Sequence, residues 1–140
     1  MNDQAARLLY TARAHTTGGR DGGASRTDDG RLAVSLAAPG GKGEGTNPEQ
    51  LFAVGWSACF ISAIRLAAHQ KKVALPADVA DDVEVDLTMA SGAYVLRARH
   101  AISLPGVPRE TGEALIAAAE TLCPYSRATR GNIEVAYTLS

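Results

Sequence analysis

The chain has 140 residues, 46% of them hydrophobic and 21% charged, with 14 basic and 15 acidic side chains and a formal charge of −1. That length fits one domain with a real core, and the balanced charge implies no general attraction to nucleic acid or to an anionic membrane. The N-terminus, MNDQAARLLY, lacks the apolar run and small-residue cleavage site of a secretory signal, so a cytoplasmic location is expected, where a structural disulfide between the two cysteines is not.

Residues Leu8 to Thr17 are compatible with a strand, and Gly18-Gly19-Arg20-Asp21-Gly22-Gly23 follows as a loop with Arg20 at its middle. It lacks the Lys and Ser/Thr of a phosphate-binding P-loop. Asp28-Asp29-Gly30 is a turn signal and Arg31 to Ala37 alternates in polarity, which predicts a hairpin. Pro39 to Gly45 is a second glycine-rich loop, and it leads into the clearest helix start in the chain. Asn47 is a good N-cap, Pro48 has no N–H to lose at the first helical position, and Glu49 with Gln50 supplies a first turn favoured by the helix dipole. From Leu51 to Ala68 the helix is apolar or small, interrupted by Gly55, Ser57, Ser62 and Arg65. Such a helix is apolar all round and must be buried on most sides. Its length would also suit a membrane span, but Arg65 and the composition of the remaining chain favour the core of a soluble domain.

Lys71 and Lys72 suit a helix C-terminus and Pro76 stops its continuation. Val83 to Met89 and Ala93 to Leu104 alternate with period two about Ala90-Ser91-Gly92, which predicts a second hairpin. Glu110 to Leu122 places Leu115, Ile116, Ala119 and Leu122 at helical spacing, with Pro124 ending the helix at Cys123. Ile133 to Leu139 is a last alternating strand. Two strands, a buried helix, two strands, a helix and a strand, with no linker between them, predict one α+β domain over residues 1–140, its helices packed on antiparallel sheets. One sheet cannot wrap a helix that is apolar all round, so either the second sheet or another subunit closes over it, and a dimer that uses both is expected.

Cys59 falls inside the apolar helix and Cys123 at the end of the later one, and neither belongs to a C-x-x-C pair. By themselves they read either as two core thiols or as a redox pair. His15, His69 and His100 have no spacing that supports a zinc site.

The segments GEGTNPEQLFAVGWSACF (Gly43 to Phe60), CPYSRATRGNIEV (Cys123 to Val135) and GGRDG (Gly18 to Gly22) resemble the organic hydroperoxide resistance protein family, the peroxidase branch of the osmotically inducible protein C superfamily. The likeness covers nearly the whole chain. The segment between Arg20 and Gly43 looks shorter than in family members, and Trp56 stands where tyrosine is commoner. The resemblance implies an intertwined α+β homodimer with curved sheets around a central helix. It implies a thiol peroxidase that reduces organic hydroperoxides to alcohols, binds no cofactor, and is recycled by an external dithiol of the lipoyl (dihydrolipoamide) type carried on a partner protein. By motif, Cys59 would be the peroxidatic cysteine, Cys123 the resolving cysteine, and Arg20 with Glu49 the polar pair that activates the thiolate.

Physical chemistry fits those roles. Burial raises a thiol's pKa, so a peroxidatic thiolate needs a cation such as Arg20, held in orientation by a carboxylate such as Glu49. Ten residues of straight helix separate Glu49 from Cys59 by roughly 15 Å, so either the helix breaks near Gly55 or Glu49 serves a site shared between subunits. Leu51, Phe52, Trp56, Phe60 and Ile61 are candidates for an apolar substrate wall, with core packing their commoner fate. Two competing readings are the osmotically inducible branch of the superfamily, against which CPYSRATRGN argues, and a non-catalytic module binding an apolar ligand.

Overall fold

The computed structural model describes residues 5–140, which divide by contact into two compact units, the first ending at Pro48 and the second being Glu49–Ser140.

The first unit is a three-stranded antiparallel meander: β1 (Ala14–Thr17), β2 (Ala24–Thr27) and β3 (Ala33–Ser35). The expected strand at Leu8 shortens to its last four residues, and β2 is a strand the sequence pattern missed, because ASRT is too short and too polar to alternate visibly. The glycine loop joins β1 to β2. Gly23 N–H donates to Gly19 O at 3.1 Å, and a Cβ at Gly23 would come within 2.3 Å of two backbone oxygens, so only glycine fits there. Leu36 extends β3 into a bridge with Thr46 and brings the chain to Asn47.

α1 (Pro48–Gln70) starts at the proline, as predicted, and runs unbroken through Gly55. The expected alternative of a helix broken at Gly55 is therefore not taken. α1 is long and apolar enough to cross a bilayer by length and composition, yet it buries a stripe of Trp56, Phe60, Ala63, Ile64, Ala67 and Ala68 in a protein core. That stripe is one face only. Val54 and Leu66 on the rest of the surface are exposed, where the sequence predicted burial on most sides.

β4 (Ala80–Ala90) and β5 (Ala93–Ser103) form the predicted hairpin, closed by Ser91 and Gly92, both at positive φ as a two-residue turn of this hand requires. Ala98, His100 and Ile102 point inward from β5. On the other face Arg99 binds Asp86 through two nitrogens, at 2.8 and 2.9 Å, and Arg97 adds a third contact. Arg99 first, then Arg97, holds the Asp86 carboxyl well below the usual carboxylate range.

The chain then crosses over through α2 (Arg109–Leu122) and a helix the sequence reading lacked, α3 (Pro124–Thr129), to β6 (Glu134–Leu139). Because of that crossover β6 pairs parallel to β5, correcting the expectation of antiparallel pairing throughout. Leu115, Ile116 and Ala119 of α2 complete the core with α1 and the sheet. Gly112 marks a close approach, since a Cβ there would lie 2.7 Å from Leu139 Cδ2 and that side-chain end would have to shift.

Candidate active site

Pro124 ends α2, and having no N–H to donate it also opens α3, so Cys123 is the C-cap of one helix and the N-cap of the next. Its side chain stands where Ser, Thr, Asp or Asn would normally accept from the N3 amide, and Ser126 N–H points at Cys123 Sγ at 3.5 Å. Sulfur is the weaker acceptor, so helix stability alone does not explain a cysteine here.

Cys59 projects from α1 toward the same point. The two sulfurs, 64 residues apart in sequence, lie 3.2 Å from one another as free thiols. Cys123 is fully buried and Cys59 half-buried, so the outer sulfur is the one a reagent reaches first. Burial pushes the Cys59 thiol above its ordinary range; the Tyr125 amide pulls it back and the neighbouring Cys123 pushes it up again.

Beneath the thiols is an aromatic and polar cluster. Trp56 Nε1–H donates to Ser126 Oγ at 3.1 Å, and the same Oγ is 2.9 Å from the Tyr137 hydroxyl. Burial raises the Tyr137 pKa, keeping the phenol neutral. His100 packs against Trp56, Phe60 and Tyr137, with ring centroids 4.6, 5.1 and 4.9 Å away. Its Nδ1 meets Asp81 Oδ2 at 2.7 Å, both side chains being wholly buried.

Of the residues singled out from sequence, the structure brings Cys59 and Cys123 together. Arg20 sits in the tight turn of the glycine loop in the first unit, and Glu49 in the first turn of α1, nearly three turns before Cys59. Trp56 and Phe60 are fully buried beside His100, with Phe60 also stacked on Tyr137; Leu51, Phe52 and Ile61 are half-buried, with Phe52 stacked near Tyr125. Among the described residues no cluster of three His, Cys, Asp or Glu side chains comes together to hold a metal. Ser126, Tyr137 and the Asp81–His100 pair were missed. Only Ser126 had a legible signal, its place three residues after an N-cap.

Residues 41–138 match the family model described as OsmC-like protein. The organic hydroperoxide resistance protein of Xanthomonas axonopodis pv. citri (strain 306) is 42% identical over 137 residues, covering 96% of each chain. A crystal structure of an organic hydroperoxide resistance protein from Legionella pneumophila superposes with a TM-score of 0.89 at 43% identity, covering 96% of this chain and 99% of that one. OhrB of Bacillus subtilis superposes at 0.85 with 33% identity, covering 95% and 100%. With two facing thiols inside this fold and these relatives along nearly its whole length, the chain belongs to the organic hydroperoxide resistance protein family of the OsmC superfamily.

Proposed function

We propose that the protein is a thiol peroxidase that reduces organic hydroperoxides to alcohols. The observation that carries this reading is the 3.2 Å separation of two free sulfurs, one half-buried and one buried. The Cys59 thiolate attacks the outer peroxide oxygen; the O–O bond breaks, the alkoxide takes a proton and leaves as alcohol, and Cys59 becomes a sulfenic acid. Cys123 attacks that sulfur, its proton leaving with the hydroxyl as water, and a Cys59–Cys123 disulfide remains. An approach of about 1.2 Å turns the observed separation into an S–S bond. An external dithiol of the dihydrolipoamide type then takes the oxidation by exchange and restores both thiols.

Arg20 supplies the positive charge the buried thiolate needs, because a guanidinium stays ionised at every relevant pH and can donate to sulfur and to peroxide oxygen. Glu49 orients Arg20 from a site shared between the two subunits and does not touch the sulfur of its own chain, in keeping with about 15 Å of unbroken helical rise between positions 49 and 59. Leu51, Phe52 and Ile61 favour alkyl hydroperoxides over hydrogen peroxide. Two chains form a homodimer that covers the exposed apolar face of α1, including Val54 and Leu66, and the distal hairpin residues Leu87, Met89 and Tyr94.

Peroxide turnover with dihydrolipoamide as reductant tests the reading. Alcohol formed in step with dithiol consumed, and lost in Cys59→Ser, is the expected result; equal turnover by that variant would place the nucleophile elsewhere.

A further inference from the structure

We infer that Ser126 is the positioning residue that sets the spacing of the two thiols, and so decides whether an oxidised Cys59 closes to a disulfide or is oxidised further. The inference rests on the peroxidase reading above. Ser126 is 4% exposed and uses both its backbone and its side chain. Its N–H holds Cys123 Sγ from below, and its Oγ binds the Trp56 indole N–H and the Tyr137 hydroxyl. Trp56 and Cys59 are three residues apart on α1 and so lie on one side of it. One hydroxyl therefore ties the cysteine-bearing side of α1 to the helix turn that carries the other cysteine, with β6 as the third anchor.

That tie matters because the sulfenic acid has two fates. Attack by Cys123 releases water and gives the disulfide; attack by the sulfenic sulfur on the outer oxygen of a second hydroperoxide breaks the O–O bond, releases a second alcohol and gives the irreversible sulfinic acid. The intramolecular route wins by effective concentration, which falls steeply when two groups are held less firmly. Without the Ser126 hydroxyl, the Trp56 N–H and Tyr137 hydroxyl lose their common partner while the amide that supports Cys123 stays in place.

The test treats wild type, Ser126→Ala, Ser126→Thr and Tyr137→Phe with excess alkyl hydroperoxide and measures the ratio of sulfinic acid to disulfide by intact mass. In Ser126→Ala the ratio should rise roughly tenfold, the effect of one lost buried hydrogen bond on a competing rate. The equilibrium between the dithiol and disulfide forms should shift in the same sense against a dithiothreitol couple, toward the dithiol, a change that lowered fold stability by itself does not require. Ser126→Thr keeps the hydroxyl, and its extra methyl can occupy the cavity of 180 Å³ that Ser126 lines with Tyr137 and Glu120, so its ratio should return to the wild-type value. Tyr137→Phe removes one anchor without touching position 126, giving a smaller rise and an answer even if Ser126→Ala does not fold. A wild-type ratio in both Ser126→Ala and Tyr137→Phe would overturn the positioning role while leaving the peroxidase reading intact. A wild type that loses no thiols to peroxide would overturn both.

Discussion

Cys59 is pulled in two directions by its own surroundings. Its sulfur is desolvated and sits beside a second thiol, and both effects favour the protonated form, whereas only the thiolate attacks a peroxide. The sign of the resulting pH dependence follows: with the folded pKa raised, the reactive fraction grows as pH rises through and beyond the ordinary thiol range. If Arg20 offsets that penalty, the wild type should react with hydroperoxide at a rate nearly flat above neutral pH. Arg20→Met should be slower at pH 7 by roughly tenfold or more, the effect of losing a charge-assisted donor, and should recover as pH is raised. Stopped-flow measurement of the first turnover from pH 6 to 10 checks this; parallel profiles for the two proteins would show that Arg20 has no part in ionising the thiol.

At the scale of elements, the hairpin and the helix crossover build the ground on which the thiols stand. Asp81 on β4 and His100 on β5 form a buried pair in which the Asp81 carboxylate accepts from His100 Nδ1–H at 2.7 Å. Asp81→Ala leaves that donor unpaired in the core and should destabilise the fold by about 1–3 kcal/mol, read from the urea midpoint. Gly112→Val should destabilise by about 1–3 kcal/mol, because the branched side chain must push Leu139 and Leu104 out of their packing. An unchanged midpoint in either variant would contradict the packing described. These elements also mark where the sequence was legible. Alternation exposed β4, β5 and β6 and helical spacing exposed α2, since each has one face in the core and one in water. The motif at Asn47-Pro48 located the start of α1 to the residue. α3 escaped notice because a proline that ends one helix reads the same as one that begins the next, and the parallel partner of β6 escaped because alternation carries no information about strand direction. The facing of Cys59 and Cys123 was implied by resemblance alone; no spacing of 64 residues encodes it. The Asp81–His100 pair was illegible because two ionisable residues in alternating strands look like solvated ones until burial is known.

For the whole molecule, one observation stands out: a helix apolar on every side is buried on one. Val54 at 68% and Leu66 at 46% exposure are unusual for an apolar helix in a protein that works alone. The proposed homodimer predicts a solution mass of twice 14.6 kDa by light scattering, and Leu66→Glu should weaken association at least tenfold, since a carboxylate would have to be desolvated in the interface. A monomer at micromolar concentration would contradict it. Peroxidase activity of this kind requires Cys59 and Cys123 to act as one redox pair, and intact-mass spectrometry after a single equivalent of alkyl hydroperoxide tests that most directly. The predicted result is a chain lighter by two hydrogens that returns to its starting mass with dihydrolipoamide, both thiols being blocked to alkylation in between. A chain that keeps two alkylatable thiols, or one that gains oxygen while Cys123 stays free, would contradict it.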